Sequence, residues 1–174
     1  MSVYFTTDPH LGHKNIAGFR PFVKDMQHNT DLFVADWKKI VNKRGIVYVF
    51  GDAAFTDEAL DIFSWLPGRK ILIKGNHDDM ITTRAQLNVF EEIHGMLKYK
   101  GFWLSHPPIH PQELRGKINI HGHVHYKSVK KKTWYGKEVD DTRYFNLCPD
   151  VIFPKYGKWI LSLEEVRKYT YGAK

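Results

Sequence analysis

Cysteine is nearly absent from this chain. Cys148 is the single one in 174 residues, which excludes an intrachain disulfide framework and a cysteine-rich zinc site. Long hydrophobic runs are missing too, and none approaches the ~20 apolar residues that span a bilayer. No charged-then-apolar leader precedes the first apolar run, so a soluble, cytoplasmic protein without a membrane partner is expected. Acidic residues are in deficit, 19 against 26 Lys and Arg, for a formal charge of +7. That balance suits a polyanionic or phosphate-bearing partner and is silent about fold. Internal repeats, low-complexity stretches and linkers are also lacking. With 43% hydrophobic and 14% aromatic residues, the chain is neither disordered nor fibrous, and its length fits one domain over residues 1–174.

Histidine is what the chain has in excess, ten in all. Most of them follow short apolar runs of β-forming residues. Ile71-Leu72-Ile73 runs through Lys74-Gly75 into Asn76-His77-Asp78, and Tyr4-Phe5 leads to Asp8-Pro9-His10. Ile46 to Phe50 leads to Gly51-Asp52, Phe102-Trp103-Leu104 to Ser105-His106, and Ile118-Asn119-Ile120 to His121-Gly122-His123-Val124-His125. Each reads as a buried strand whose carboxyl end delivers metal-binding side chains into a turn. Sites of open α/β sheets lie beyond such ends. Asp8 and His10, two apart in a segment read as extended, would leave the chain on the same side.

Between these runs the spacing predicts helices. Asn29 or Thr30 can cap one through about Asn42, with Phe33, Trp37, Ile40 and Val41 on its apolar face. Ala59, Ile62, Phe63 and Leu66 make a second stripe, stopped by Pro67-Gly68. The resulting β-α-β-α-β order suggests parallel strands with helical crossovers. A third, weaker helix covers Thr83 to Phe90, and Met96 to Ser105 reads as a hairpin turning at Lys100-Gly101. Tyr126 to Lys137 is strongly basic around Trp134 and Tyr135, and reads equally as a solvated hairpin or a nucleic-acid contact. Tyr144 to Leu147 and Trp159 to Leu161 read as late strands, and Ser162-Leu163-Glu164-Glu165 opens a terminal helix with a capping box through about Tyr169.

The ordered set Asp8-Pro9-His10, Gly51-Asp52, Gly75-Asn76-His77-Asp78, His106 and Gly122-His123-Val124-His125 resembles the calcineurin-like metallophosphoesterases. The resemblance runs from Tyr4 to His125, and more loosely onward, and looks like the small single-domain members of bacteria and their viruses. It implies a four-layer α-β-β-α sandwich, two packed mixed β-sheets flanked by helices. It also implies two divalent ions, Mn²⁺ first, with Ni²⁺, Fe²⁺, Zn²⁺ or Mg²⁺ as alternatives. Asp8, His10, Asp52 and His125 would hold one ion, and Asp52, Asn76, His106 and His123 the other. Asp52 would bridge them through its two anionic oxygens.

In that family His77 handles protons, and Asp78 is expected to orient it. His13, and Asn76 besides its ligand role, are candidate contacts to substrate phosphate. His121 is expected to be structural, and His28, His94 and His110 have no assigned chemistry. The implied activity is hydrolysis of phosphodiesters of nucleotides, cyclic nucleotides or nucleic-acid ends by a metal-bound hydroxide. A phosphomonoesterase is the alternative, and a non-catalytic nucleic-acid-binding module the more distant one.

Overall fold

The first three strands are four or five residues long, and their alternation decides the layers. The structure, a computed structural model, describes residues 2–172. In β1 (Val3–Thr6), β2 (Ile46–Val49) and β3 (Arg69–Ile73) nearly every side chain is buried, as in parallel strands covered on both faces. Between them run α1 (Met26–Ile40) and α2 (Asp57–Trp65), and after them α3 (Thr83–Leu87) and the short strand β4 (Glu92–His94). A second group follows: β5 (Met96–Tyr99), β6 (Phe102–Ser105), β7 (Ile118–His121), β8 (Lys130–Lys132), β9 (Glu138–Asp140) and β10 (Tyr144–Asn146). The chain closes with α4 (Pro149–Tyr156), β11 (Leu161–Ser162) and α5 (Leu163–Tyr171).

Two mixed sheets result. One has the order β11-β1-β2-β3-β4 and the other β10-β7-β6-β5. β1 to β4 are parallel, with β11 antiparallel at the edge. β6, β7 and β10 are parallel, and β5 forms the expected hairpin with β6. Because side chains alternate along a strand, Val47, Val49 and Leu72 face one way, into a core with Phe33, Trp37, Leu60 and Phe63 of the helices. Phe5, Tyr48, Phe50, Ile71 and Ile73 face the other way and meet Phe102, Leu104 and Ile120 of the second sheet. This is the expected sandwich, two mixed sheets with flanking helices. The basic segment forms the separate hairpin β8-β9, with Trp134 almost fully exposed near its tip.

Several boundaries differ from expectation. α1 starts at Met26, because the Asp25 carboxylate accepts the His28 N–H at 2.7 Å and caps the helix earlier than Asn29. Asn29 is a fully buried residue of the helix body. α3 stops at Leu87, three residues short of Phe90. α4 was not expected from the sequence, and it holds Pro154 inside it. Pro149 nevertheless suits a first turn, where its missing N–H costs nothing, and Gly157 ends the helix at φ +64°.

Candidate metal centre

All five expected segments converge at the carboxyl ends of strands: Asp8 and His10 beyond β1, Asp52 beyond β2, Asn76 and His77 beyond β3. His106 follows β6, and His123 and His125 follow β7. The segment after β1 is not extended, contrary to the sequence reading. Asp8, His10, Asp52, His123 and His125 all have φ between +49° and +70°, a region that non-glycine residues seldom occupy. Left-handed residues bend the chain beyond β1, β2 and β7; such conformations persist only where the surroundings impose them. Glycine is required where the loops touch. A Cβ on Gly51 (φ +75°) would come within 2.5 Å of the Gly75 backbone, and one on Gly122 would collide with Thr7 and Asp8.

The loop after β1 is held by Arg20, whose side chain is fully buried. It donates to the Asp8 carbonyl at 2.5 Å and the Pro9 carbonyl at 3.4 Å, and also to Asn29 Oδ1 at 3.1 Å. Arg20 Nε lies 3.5 Å from Asp150 Oδ2, which in turn faces His125 Nδ1 at 3.1 Å. Arg20 and Asp150 thus tie the two ends of the site together. Neither was singled out from the sequence, because nothing local marks a buried pair 130 residues apart.

The donor atoms form two overlapping groups, Asp8 with His10 and His125, and Asp8 with Asp52 and His106. Asp52 Oδ2 lies 3.8 Å from His10 Nε2 and 3.4 Å from His106 Nε2. Asp52 Oδ1 accepts the His77 N–H at 2.9 Å. One Asp52 oxygen is thus tied to the backbone, and the other faces both His10 and His106. On one side stand Asp8, His10 and His125, with ligand atoms mutually within 4.8 Å. On the other, His106 Nε2 is 3.0 Å from Asn76 Oδ1 and 3.2 Å from His123 Nδ1.

Hydrogen bonding from behind fixes which atoms face inward. His106 Nδ1 donates to the Phe50 carbonyl at 2.7 Å, so Nε2 is the atom that faces the cluster. His125 Nδ1 faces the Asp150 carboxylate, leaving Nε2. Asp8 Oδ2 accepts from Thr7 Oγ1 at 2.5 Å and the His123 N–H at 3.0 Å, whereas buried Asp8 Oδ1 and His10 Nε2 have no hydrogen-bond partner. Buried acceptors left unpartnered and aimed at one another are unfavourable without a cation. The residues present therefore fit bound metal, and the nitrogen and oxygen donors suit divalent ions of the Mn-to-Zn series.

Titration behaviour carries the same signature. Burial alone would lower His106, but the Asp52 hydrogen bond and the Asp8 and Asp52 charges outweigh it and raise it to about 9. Burial alone would raise Asp8, yet the His10 ring 3.5 Å away and the His106 charge hold it well below the usual carboxylate range. Asp150 raises His125, whereas burial lowers His10 and His123. Burial pushes the Cys148 thiol well up, and it donates to Asp8 Oδ2 at 3.5 Å.

Asp78 has a different task from orienting His77. Its two oxygens accept the backbone N–H groups of Asp52 at 3.0 Å, Ala53 at 2.9 Å and Gly75 at 2.7 Å, pinning the β2 and β3 loops to each other. Asp78→Ala would orphan all three, each worth ~1–3 kcal/mol when buried and unpaired. A loss of at least ~3 kcal/mol in ion-free stability is expected by urea denaturation, with Asp78→Asn losing less. A change under ~1 kcal/mol would mean that water replaces the carboxylate.

His77 opens a short 3₁₀ turn and is exposed, its ring 6.1 Å from His10. His13 packs edge-on against Phe55 at 4.7 Å, with Nδ1 buried and unpartnered. His121 is buried on the other face of β7 from Ile120 and bonds the Gly122 carbonyl at 2.9 Å.

Strand ends of two sheets that converge carboxylates and imidazoles on one unpartnered cluster define a metal-binding α/β sandwich. The calcineurin-like phosphoesterase family matches residues 1–168, and the chain belongs to it. Among its relatives, the Gene 66 protein of Mycobacterium phage L5 is 26% identical over 79% of this chain and 84% of its own. The Gene 66 protein of Mycobacterium phage D29 is 31% identical over 74% and 81%. A crystal structure of AQ665, a protein of unknown function from Aquifex aeolicus, superposes with a TM-score of 0.67. It is 25% identical and is covered over 98% of its length, with 97% of this chain aligned. No helix among the described residues is long and apolar enough to cross a membrane.

Proposed function

We propose that this protein hydrolyses phosphodiesters of nucleotides, cyclic nucleotides or nucleic-acid ends with two divalent ions, Mn²⁺ foremost. The observation that carries this reading is Asp52 Oδ2, a single carboxylate oxygen facing His10 on one side and His106 on the other. Asp8, His10, Asp52 and His125 would hold one ion, and Asp52, Asn76, His106 and His123 the second. Such a pair supplies a nucleophile at neutral pH and neutralises charge on the phosphoryl oxygens.

The chain's own groups do the rest. Arg20, Asp78 and the Phe50 carbonyl fix the ligands before substrate arrives, so little reorganisation is left for the reaction. His77 is free to give a proton to the leaving oxygen, its N–H anchored on Asp52 while its ring stays exposed. Asn76, His77 and His123 are all exposed, so the cluster opens on their side. The basic surface favours anionic substrates. A screen of mono-, di- and cyclic phosphoesters after chelation and after reloading with each metal tests the reading. Turnover unaffected by chelation would end it.

Metal loading should depend steeply on pH. In the ion-free protein His106 is raised from 6.5 to about 9, so between those values a proton occupies the folded site that an ion must displace. The stability this proton gives the ion-free fold is present below about 6.5 and is lost as pH rises through about 9. Metal affinity runs oppositely, rising roughly tenfold per pH unit for each proton expelled. Calorimetric titration in buffers of different ionisation enthalpy should show at least one proton released per chain at pH 7.5. Zero release would contradict the ligand role of His106.

A further inference from the structure

Two adjoining cavities lie beside the candidate metal centre, and neither is needed to hold a phosphate. One, of about 400 Å³, is lined by Phe19, His123, Val124, His125, Tyr126 and Lys127. The next, of about 560 Å³, is lined by Phe19, Pro21, Phe22, Tyr126, Asp150 and Pro154. Phe19 and Tyr126 belong to both, so they stand at the junction of the two. Both are left in water by the fold, Phe19 at 64% and Tyr126 at 76% exposure. The floor beneath them is firm: Phe22 stacks on Phe153 with centroids 4.6 Å apart, and Phe153 packs against buried Trp159.

We propose that Phe19 and Tyr126 form a subsite for a nucleobase of the substrate, with the attached phosphate carried to the cluster containing His123 and His125. This rests on the phosphoesterase reading and names the group that the substrate brings beside its phosphate. Three observations converge on a base and not on another apolar group. The cavity wall is shared with two candidate metal ligands, so its occupant is covalently close to phosphorus. Its exposed walls are aromatic rings, which take up flat π-systems by stacking. Lys127 lies in the same cavity, offering a cation to a neighbouring phosphate. The volumes suit a monomer-sized ligand.

The test compares two nitrophenyl diesters that differ only in the second arm, thymidine 5′-nitrophenyl phosphate and methyl nitrophenyl phosphate. In the metal-loaded parent the nucleoside ester should be preferred in kcat/KM. Phe19→Ala and Tyr126→Ala should each shrink that preference by ~10-fold or more, through KM, and Phe19→Trp and Tyr126→Trp should restore it. Equal losses on both esters, or an unchanged preference, would overturn the subsite. A second readout separates its failure from failure of the phosphoesterase reading. Calorimetric titration with thymidine 5′-monophosphate and with inorganic phosphate measures the base's contribution to binding without turnover. Tighter binding of the nucleotide than of phosphate, lost in Phe19→Ala, supports the subsite even if no ester is hydrolysed. Equal affinity for the two probes in the parent would rule it out whatever the enzyme's activity. Both residues are mostly exposed, so thermal unfolding should be unchanged, and a variant that melts early is replaced by the Leu substitution.

Discussion

Asp52→Ala is expected to abolish phosphoester hydrolysis, with a loss of at least ~10³-fold, or ~4 kcal/mol of barrier. The size follows from the position of Oδ2 between His10 and His106. Without it each donor group loses its shared anion, and the two halves of the cluster no longer constrain one another. The substitution also frees the His77 N–H, which Asp52 Oδ1 accepts, so His77, the proposed proton donor, loses its anchor in the same step. Asp52→Asn separates the effects, because an amide oxygen can still accept that N–H but carries no charge. Turnover of a nitrophenyl diester and metal content by elemental analysis should fall together in both variants. Full turnover in Asp52→Asn would show that the bridging charge is dispensable.

His77→Ala should divide substrates instead of damaging all of them. Positioned proton transfer contributes ~10²–10⁴-fold where the leaving oxygen needs a proton. A ribose oxygen leaves as a strong base and should lose that much. A nitrophenolate departs unaided, so its ester should keep activity within ~10-fold, with the metal still bound. Alanine retains the backbone N–H to Asp52, which makes this the clean substitution. A uniform loss over a leaving-group series, with the metal content intact, would make His77 a stabiliser of charge on the phosphoryl group. Loss of metal would make it a ligand.

The site's ingredients were legible because they follow short β-forming runs, where one strand end fixes the location of each ligand type. What could not be read is how the loops hold their shape. Asp8 and His10 were expected to share a side through extended backbone, whereas both adopt left-handed conformations that only the surrounding fold imposes. Arg20 and Asp150 carry no motif, yet they connect the β1 loop to His125 across the molecule. Asp78 was placed correctly beyond β3, but its hydrogen bonds run to backbone groups of the neighbouring loops and not to its sequence neighbour His77. α1 and α4 show the same limit at the level of elements. Asp25 and Asn29 are both acceptable caps, and packing of Asn29 against Pro9 and Arg20 selects the earlier one. α4 drew no expectation, yet its first-turn Pro149 and terminal Gly157 are a helix signature in the sequence.

The reading of Asp52 as an oxygen shared by two ions has one direct measurement. Crystals of Mn²⁺-loaded protein, with anomalous difference maps at the manganese edge, count the ions and place each against its ligands. Two peaks about 3.5–4 Å apart, one among Asp8, His10 and His125 and the other among Asn76, His106 and His123, with Asp52 Oδ2 between them, are the expected result. A single peak in protein that hydrolyses phosphodiesters at its full rate, or two peaks with Asp52 bound to neither, would contradict it.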